Sequence, residues 1–189
     1  MPSSNPFAIS KILKEVLDLN PQSVLDIGPG FGKWGVLLRE YLDVWNWRVF
    51  PPEWKVRIDC IEAYPKYISP LHEYVYNKVI VQDVRTVSWE SFPTYDLICL
   101  FDVIEHMSKL EGYDLLHALL QKATKAVFVS TPLPEDFSSF PHGRWEDDYE
   151  GHKEAWSPIE FVENFGAEIV MCDGGKRGFR TFLAKIRIR

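Results

Sequence analysis

Residues 24–35 read VLDIGPGFGKWG, with Gly28, Gly30 and Gly32 at alternate positions behind an apolar run that carries Asp26. The run SVLDIG (23–28) has the length of a short buried strand, and KWGVLLREYLDV (33–44) has the spacing of a helix. Glycine tolerates positive φ and lets a ligand lie against bare backbone. One glycine is enough for a strand-to-helix turn, so three point to a ligand held at the carboxyl end of the first strand of an open α/β sheet.

Outward from this loop, the pattern extends in both directions. Upstream, Ile9, Ile12, Leu13, Val16 and Leu17 give an amphipathic helix over about 7–19, ended by Asn20-Pro21. Downstream, KVRIDCIEAY, NKVIVQDV, YDLICLFDV and KAVFVSTP read as strands two to five, and KLEGYDLLHALLQKA as a helix. These strands are continuous apolar runs, as expected when helices cover both faces. Strand and helix alternate, which predicts a single-domain (1–189), doubly wound α/β sheet, Rossmann-like and mostly parallel. Ser157, Pro158, Glu160 and Gly166 bracket one more helix with a capping box and a glycine stop. AEIVMC and RTFLAKIRIR follow across a link too short for a crossover, so that pair is expected to be antiparallel. Lys185, Arg187 and Arg189 alternate with apolar residues and read as the wet face of the last strand. Residues 45–54 (WNWRVFPPEW) break both periods and read as an insertion. Residues 133–156 hold no period yet carry Phe137, Phe140, Trp145, Tyr149 and Trp156, the make-up of a functional loop on the acceptor side.

Composition narrows the setting. The 189 residues carry a net charge of −6, with 46% hydrophobic and 14% aromatic residues, so a folded core is expected and general polyanion binding is not. No apolar run reaches the length of a membrane span, and the first twenty residues lack a signal-peptide core. Cys60, Cys99 and Cys172 sit inside apolar runs without metal-like spacing and read as buried thiols of a reducing, cytoplasmic setting.

The glycines also say which ligand. A dinucleotide loop is G-x-G-x-x-G and a phosphate loop ends in G-K-[ST], whereas here the spacing is G-x-G-x-G. With Asp26 ahead of it, this loop resembles the first motif of the class I S-adenosylmethionine-dependent methyltransferases. The resemblance implies that Asp26, Gly28, Gly30 and Gly32 bind the cofactor and that S-adenosylhomocysteine is the product. It further implies that Glu62, ending the second strand, takes the ribose hydroxyls and that Asp83 meets the adenine amino group, with Val84 and Phe101 as neighbouring contacts. A carboxylate suits a vicinal diol because its two oxygens accept two hydrogen bonds. Taken singly, Asp26 is also a turn cap, Glu62 a solvated strand end and Asp83 a turn residue; their order at successive strand ends favours the site.

The stretch LFDVIEHM (100–107) is similar to the D-V-x-E-H of many small-molecule O-methyltransferases. Displacement from a sulfonium needs no protein nucleophile, but a hydroxyl acceptor calls for a general base, and His106 and His152, with Glu105 beside them, are the catalytic candidates. Asp102, Glu105 and His106 stand at i, i+3 and i+4, and with His152 they offer two oxygens and two nitrogens to a divalent cation. That layout resembles the metal-dependent 2′-O-methyltransferases of small-RNA 3′ ends, with Asp102 in place of their first Glu. The favoured reading has no metal and a small-molecule acceptor. Seven acidic residues against Arg144 and Lys153 in 133–156 speak against a phosphate backbone. A silent cofactor-binding module is the remaining alternative.

Overall fold

A computed structural model describes residues 4–137, 149, 151–172 and 180–188. Its elements are α1 (Ile9–Leu19), β1 (Ser23–Ile27), α2 (Lys33–Leu42), β2 (Arg57–Glu62), α3 (Pro70–Val75), β3 (Lys78–Val81), β4 (Tyr95–Phe101), α4 (Lys109–Leu120), β5 (Ala123–Pro132), α5 (Pro134–Phe137), α6 (Pro158–Phe165), β6 (Glu168–Cys172) and β7 (Thr181–Arg187). They build one seven-stranded sheet in the order β3-β2-β1-β4-β5-β7-β6. The first five strands are parallel, and β7 runs antiparallel to both β5 and β6. The strand order reverses between β1 and β4, where sheets of this kind open a crevice at their carboxyl ends.

Alternation along the strands sorts side chains onto two cores. Val24, Ile58, Cys60, Leu97, Cys99 and Phe128 face α1, α2 and α3. Leu25, Ile27, Ile61, Ile98, Leu100, Val127 and Val129 face α4 and α6. At least three turns of helix do not accompany every strand, however. The expected alternation fails between β3 and β4, where the chain makes only 3₁₀ turns at Val84–Thr86 and Trp89–Ser91. DVRTVSWESFP offers no apolar stripe at helical spacing, so a helix there would have no face to bury. Conversely α3, six residues behind a Ser69-Pro70 start, was too short for its period to register.

The expectation of a wet face on β7 holds at Arg187, which is exposed, and is corrected at Lys185, while Arg189 lies outside the described residues. Lys185 is only 3% exposed, because α1 and β6 cover it and supply Glu15 (2.6 Å) and Glu168 (2.8 Å) as partners. The insertion is an ordered turn rather than loose chain. Buried Asp43 accepts from Arg48 Nε (2.6 Å), Arg39 Nη1 (2.5 Å) and Lys55 N (2.9 Å), and Trp54 lies on the Arg39 guanidinium at 4.2 Å. Burial would raise the Asp43 carboxyl, but these donors hold it below the usual carboxylate range. Of the 133–156 stretch, residues 138–148 and 150, Phe140 and Trp145 among them, lie outside the described residues. Among the described residues no helix is long and apolar enough to cross a membrane.

Candidate active site

The crevice holds a cavity of about 930 Å³, its open mouth included. One wall is the glycine loop. Gly28, Gly30 and Gly32 all have positive φ, at 70°, 55° and 87°. At Gly28 this is obligatory twice over, since a Cβ would also run into Val103. Gly30 is clamped on both sides of its peptide: its N–H donates to Glu62 Oε2 (3.1 Å) and its carbonyl meets His72 Nε2 (2.9 Å). Because Ser69 N donates to His72 Nδ1 (3.2 Å), the Nε2 carries the proton toward Gly30. Glu62 Oε1 accepts from Tyr64 N (2.8 Å), so the acid ending β2 and the loop after β1 form one unit.

Asp26 does not line the cavity. It lies beneath the loop, fully buried in register between Cys60 and Cys99, and accepts from Tyr76 Oη (2.6 Å). Its Oδ1 has no partner. Burial pushes its carboxyl up to about 7, against the pull of Tyr76. Gly32 is likewise outside the lining and serves as the cap of α2. Glu62, Asp83, Val84 and Phe101 do line it. Asp83 is already paired: the Arg85 guanidinium (2.6 Å) holds its carboxyl below the usual range, and Arg85 reaches on to Glu111 (3.1 Å).

At the end of β4 the chain turns sharply. Asp102 has φ 58°, and Ile104–His106 form a 3₁₀ turn rather than the helical turn expected. The four proposed metal-ligating residues therefore separate. Glu105, His106 and His152 bring ligand atoms within 4.8 Å of one another, and Asp102 stands outside that group. Asp102 instead accepts from Ser130 Oγ (3.2 Å) and Asn5 N (3.2 Å), while burial pushes its carboxyl up to about 6. Glu105 is buried, accepts from Thr131 Oγ1 (3.1 Å) through Oε2, and leaves Oε1 unpartnered. Burial, with the Asp102 charge beside it, holds Glu105 well above the usual carboxylate range. Its backbone carbonyl accepts from Lys153 N and Glu154 N, which draws the segment carrying His152 onto the cluster. His106 Nδ1 contacts Gly151 O (3.2 Å), and the two imidazoles stand 4.9 Å apart, edge to face, with Phe137 beyond His152.

Sequence reasoning missed His72, Tyr76, Tyr64, Tyr67, Lys33, Trp34 and Ser4. The last five line the cavity, and the first two hold its floor. His72 and Tyr76 had one signal, an i, i+4 polar pair on a short capped helix of otherwise apolar burial.

A β3-β2-β1-β4-β5 half-sheet, a clamped G-x-G-x-G loop and an acid at the end of β2 define the class I S-adenosylmethionine-dependent methyltransferase fold. Residues 5–165 match the family model described as "Methyltransferase domain", and the chain belongs to that methyltransferase family. No curated protein matches it by sequence. Among solved structures it is similar to a SAM-dependent methyltransferase from Archaeoglobus fulgidus (14% identity, 98% of this chain and 95% of that one, TM-score 0.67). It is also similar to the N-methyltransferase NodS from Bradyrhizobium japonicum WM9 (16%, 97% and 97%, 0.63) and to the methyltransferase domain of bacterial CtHen1 (16%, 98% and 100%, 0.62).

Proposed function

We propose that this chain transfers a methyl group from S-adenosylmethionine to an oxygen or nitrogen of a small molecule. The observation that carries the reading is the Gly30–Glu62 unit, a bare-backbone cradle tied to a carboxylate at the cavity wall. The cofactor, when bound, supplies an activated methyl on a sulfonium. Glu62 would take the ribose hydroxyls, Gly28 and Gly30 the close backbone approach, and Asp83 with Val84 the adenine end, next to Phe101. The protein's share of the rate is positioning and water exclusion, with removal of the acceptor's proton.

His106 is the general base of this reading. With Nδ1–H directed at Gly151 O, its Nε2 is the nitrogen that accepts a proton. Glu105 and His152 stand beside it, all three groups meeting within one cluster. NodS, named an N-methyltransferase, supports including nitrogen as the methylated atom.

A second reading is favoured by that same cluster. Three mixed nitrogen and oxygen ligands suit Zn²⁺ or Mn²⁺ better than Mg²⁺, and would make the chain a metal-assisted 2′-O-methyltransferase of nucleic acid. The acidity of 133–156 weighs against it. Labelled methyl donor incubated with small-molecule extract or with RNA, before and after EDTA, separates the two. The proposal expects label in the small-molecule fraction, retained after chelation. Label in RNA alone, lost to EDTA and restored by stoichiometric Mn²⁺ but not in His152→Ala, contradicts it.

A further inference from the structure

The segment ahead of α1 is fastened into the site. Ser4 is only 6% exposed and lines the cavity beside Lys33, Trp34, Phe101 and Asp102. Its Oγ accepts from Trp34 Nε1 (2.8 Å) and its carbonyl from Lys33 Nζ (2.7 Å). The next residue spans to the other side: Asn5 N donates to Asp102 Oδ2 (3.2 Å) and Asn5 Nδ2 to Thr181 Oγ1 (3.4 Å). Pro6–Ala8 then turns the chain into α1. Two residues thus bridge the start of α2, the end of β4 and the start of β7, across the carboxyl ends of the strands.

Asp102 is built for this contact. Its φ of 58° is costly for a residue with a Cβ, and its N–H to Ser130 O bond (2.8 Å) holds the peptide in that turn. Ser130 Oγ takes one carboxylate oxygen and Asn5 N takes the other. A buried carboxylate with both oxygens engaged in this way orders whatever donates to it. The Glu105, His106 and His152 group leaves this residue out, and the general-base reading does not use it.

We propose that Ser4 and Asn5 form a strap belonging to the methyl-donor site, latched by Asp102, which closes the Lys33–Trp34–Phe101 end of the cavity and must lift for S-adenosylhomocysteine to leave. The proposal rests on the cofactor reading above. While latched, the strap keeps water from that end of the cavity; once unlatched, it opens the wall through which the product departs.

The latch can be cut at one atom. Asn5 has φ −54° and ψ 119°, values a proline adopts without strain, so Asn5→Pro deletes the N–H that Asp102 accepts. Asn5→Ala is the matched control, since it loses the same side-chain bonds and keeps the N–H. Dissociation of S-adenosylhomocysteine is measured for both by rapid-mixing displacement, with thermal melts to establish that each is folded. Release from Asn5→Pro is expected to be on the order of tenfold faster than from Asn5→Ala, the scale of one hydrogen bond to a charged acceptor. A chain beginning at Pro6 supplies the same test should the proline variant fail to fold, and is expected to release at least that fast relative to wild type. Equal release from the proline and alanine variants, or wild-type release from the shortened chain, overturns the strap alone. Absence of any binding by wild type overturns the cofactor reading and the strap with it.

Discussion

Gly30 owes its place to its neighbours on both sides. Its N–H is taken by Glu62 and its carbonyl by His72, so the loop is set before any ligand arrives. Replacing Glu62 with Ala removes a carboxylate that the proposed ribose contact needs and also frees the Gly30 N–H. Affinity for S-adenosylhomocysteine should fall by about 1.5–3 kcal/mol, the range for hydrogen bonds to a charged group. Calorimetry with native and 2′-deoxy ligand checks it: wild type should discriminate between them and Glu62→Ala should not. Equal binding of both ligands by wild type removes Glu62 from the ribose. At Gly28, alanine should lower stability by about 1–2 kcal/mol for the positive φ alone, before any shift of Val103, as read by urea denaturation. The glycines and Glu62 were legible in the sequence because spacing and strand position mark them. His72 was not, because nothing local says that a helix of six residues will set its imidazole against a carbonyl forty-two residues earlier.

Elements that announce their own ends were read well. The capping box at Ser157 and the Gly166 stop frame α6, and Asn20 closes α1 in the left-handed region, as their residue types imply. What failed was the exposure assigned to one position on a face. The alternation of Lys185 with Ala184 and Ile186 correctly marks a strand, but only tertiary packing shows that α1 brings Glu15 against Lys185 while Arg187 stays exposed. The 45–54 insertion shows the same limit. Its composition signals a break in period, while its order comes from Asp43, which gathers Arg39, Arg48 and the Lys55 backbone. Asp43→Ala leaves the buried Arg39 without its carboxylate and should destabilise the protein by about 3–5 kcal/mol. Chemical denaturation with a loss under about 1 kcal/mol would show that the insertion holds without this hub.

Across the whole molecule, buried carboxyls sit where strands end. Asp26 at about 7 and Asp102 at about 6 both lie above their unfolded values, so the native state binds more protons than the unfolded state between about pH 4 and 7. Stability should therefore fall as pH rises through that window, by about 1.4 kcal/mol per pH unit for each such group while it titrates. Above pH 7 this penalty is constant. Asp26→Asn should flatten the decline, and denaturation midpoints from pH 5 to 8 that run parallel in variant and wild type would refute the assignment. The whole-molecule view also explains why the candidate catalytic cluster was only partly legible. Glu105, His106 and His152 were readable as residue types in two motifs, whereas the removal of Asp102 from their company depends on a turn at φ 58° and on Asn5, whose N–H donates to it.

The central claim is that the glycine loop and Glu62 hold the methyl donor's product. Calorimetric titration of S-adenosylhomocysteine into wild type and into Gly30→Val tests it most directly. Valine at φ 55° would place a branched side chain where ligand is expected to meet bare backbone. The account predicts one binding site per chain in wild type and none in a Gly30→Val variant that still melts cooperatively; no binding by wild type, or equal affinity in both, would contradict it.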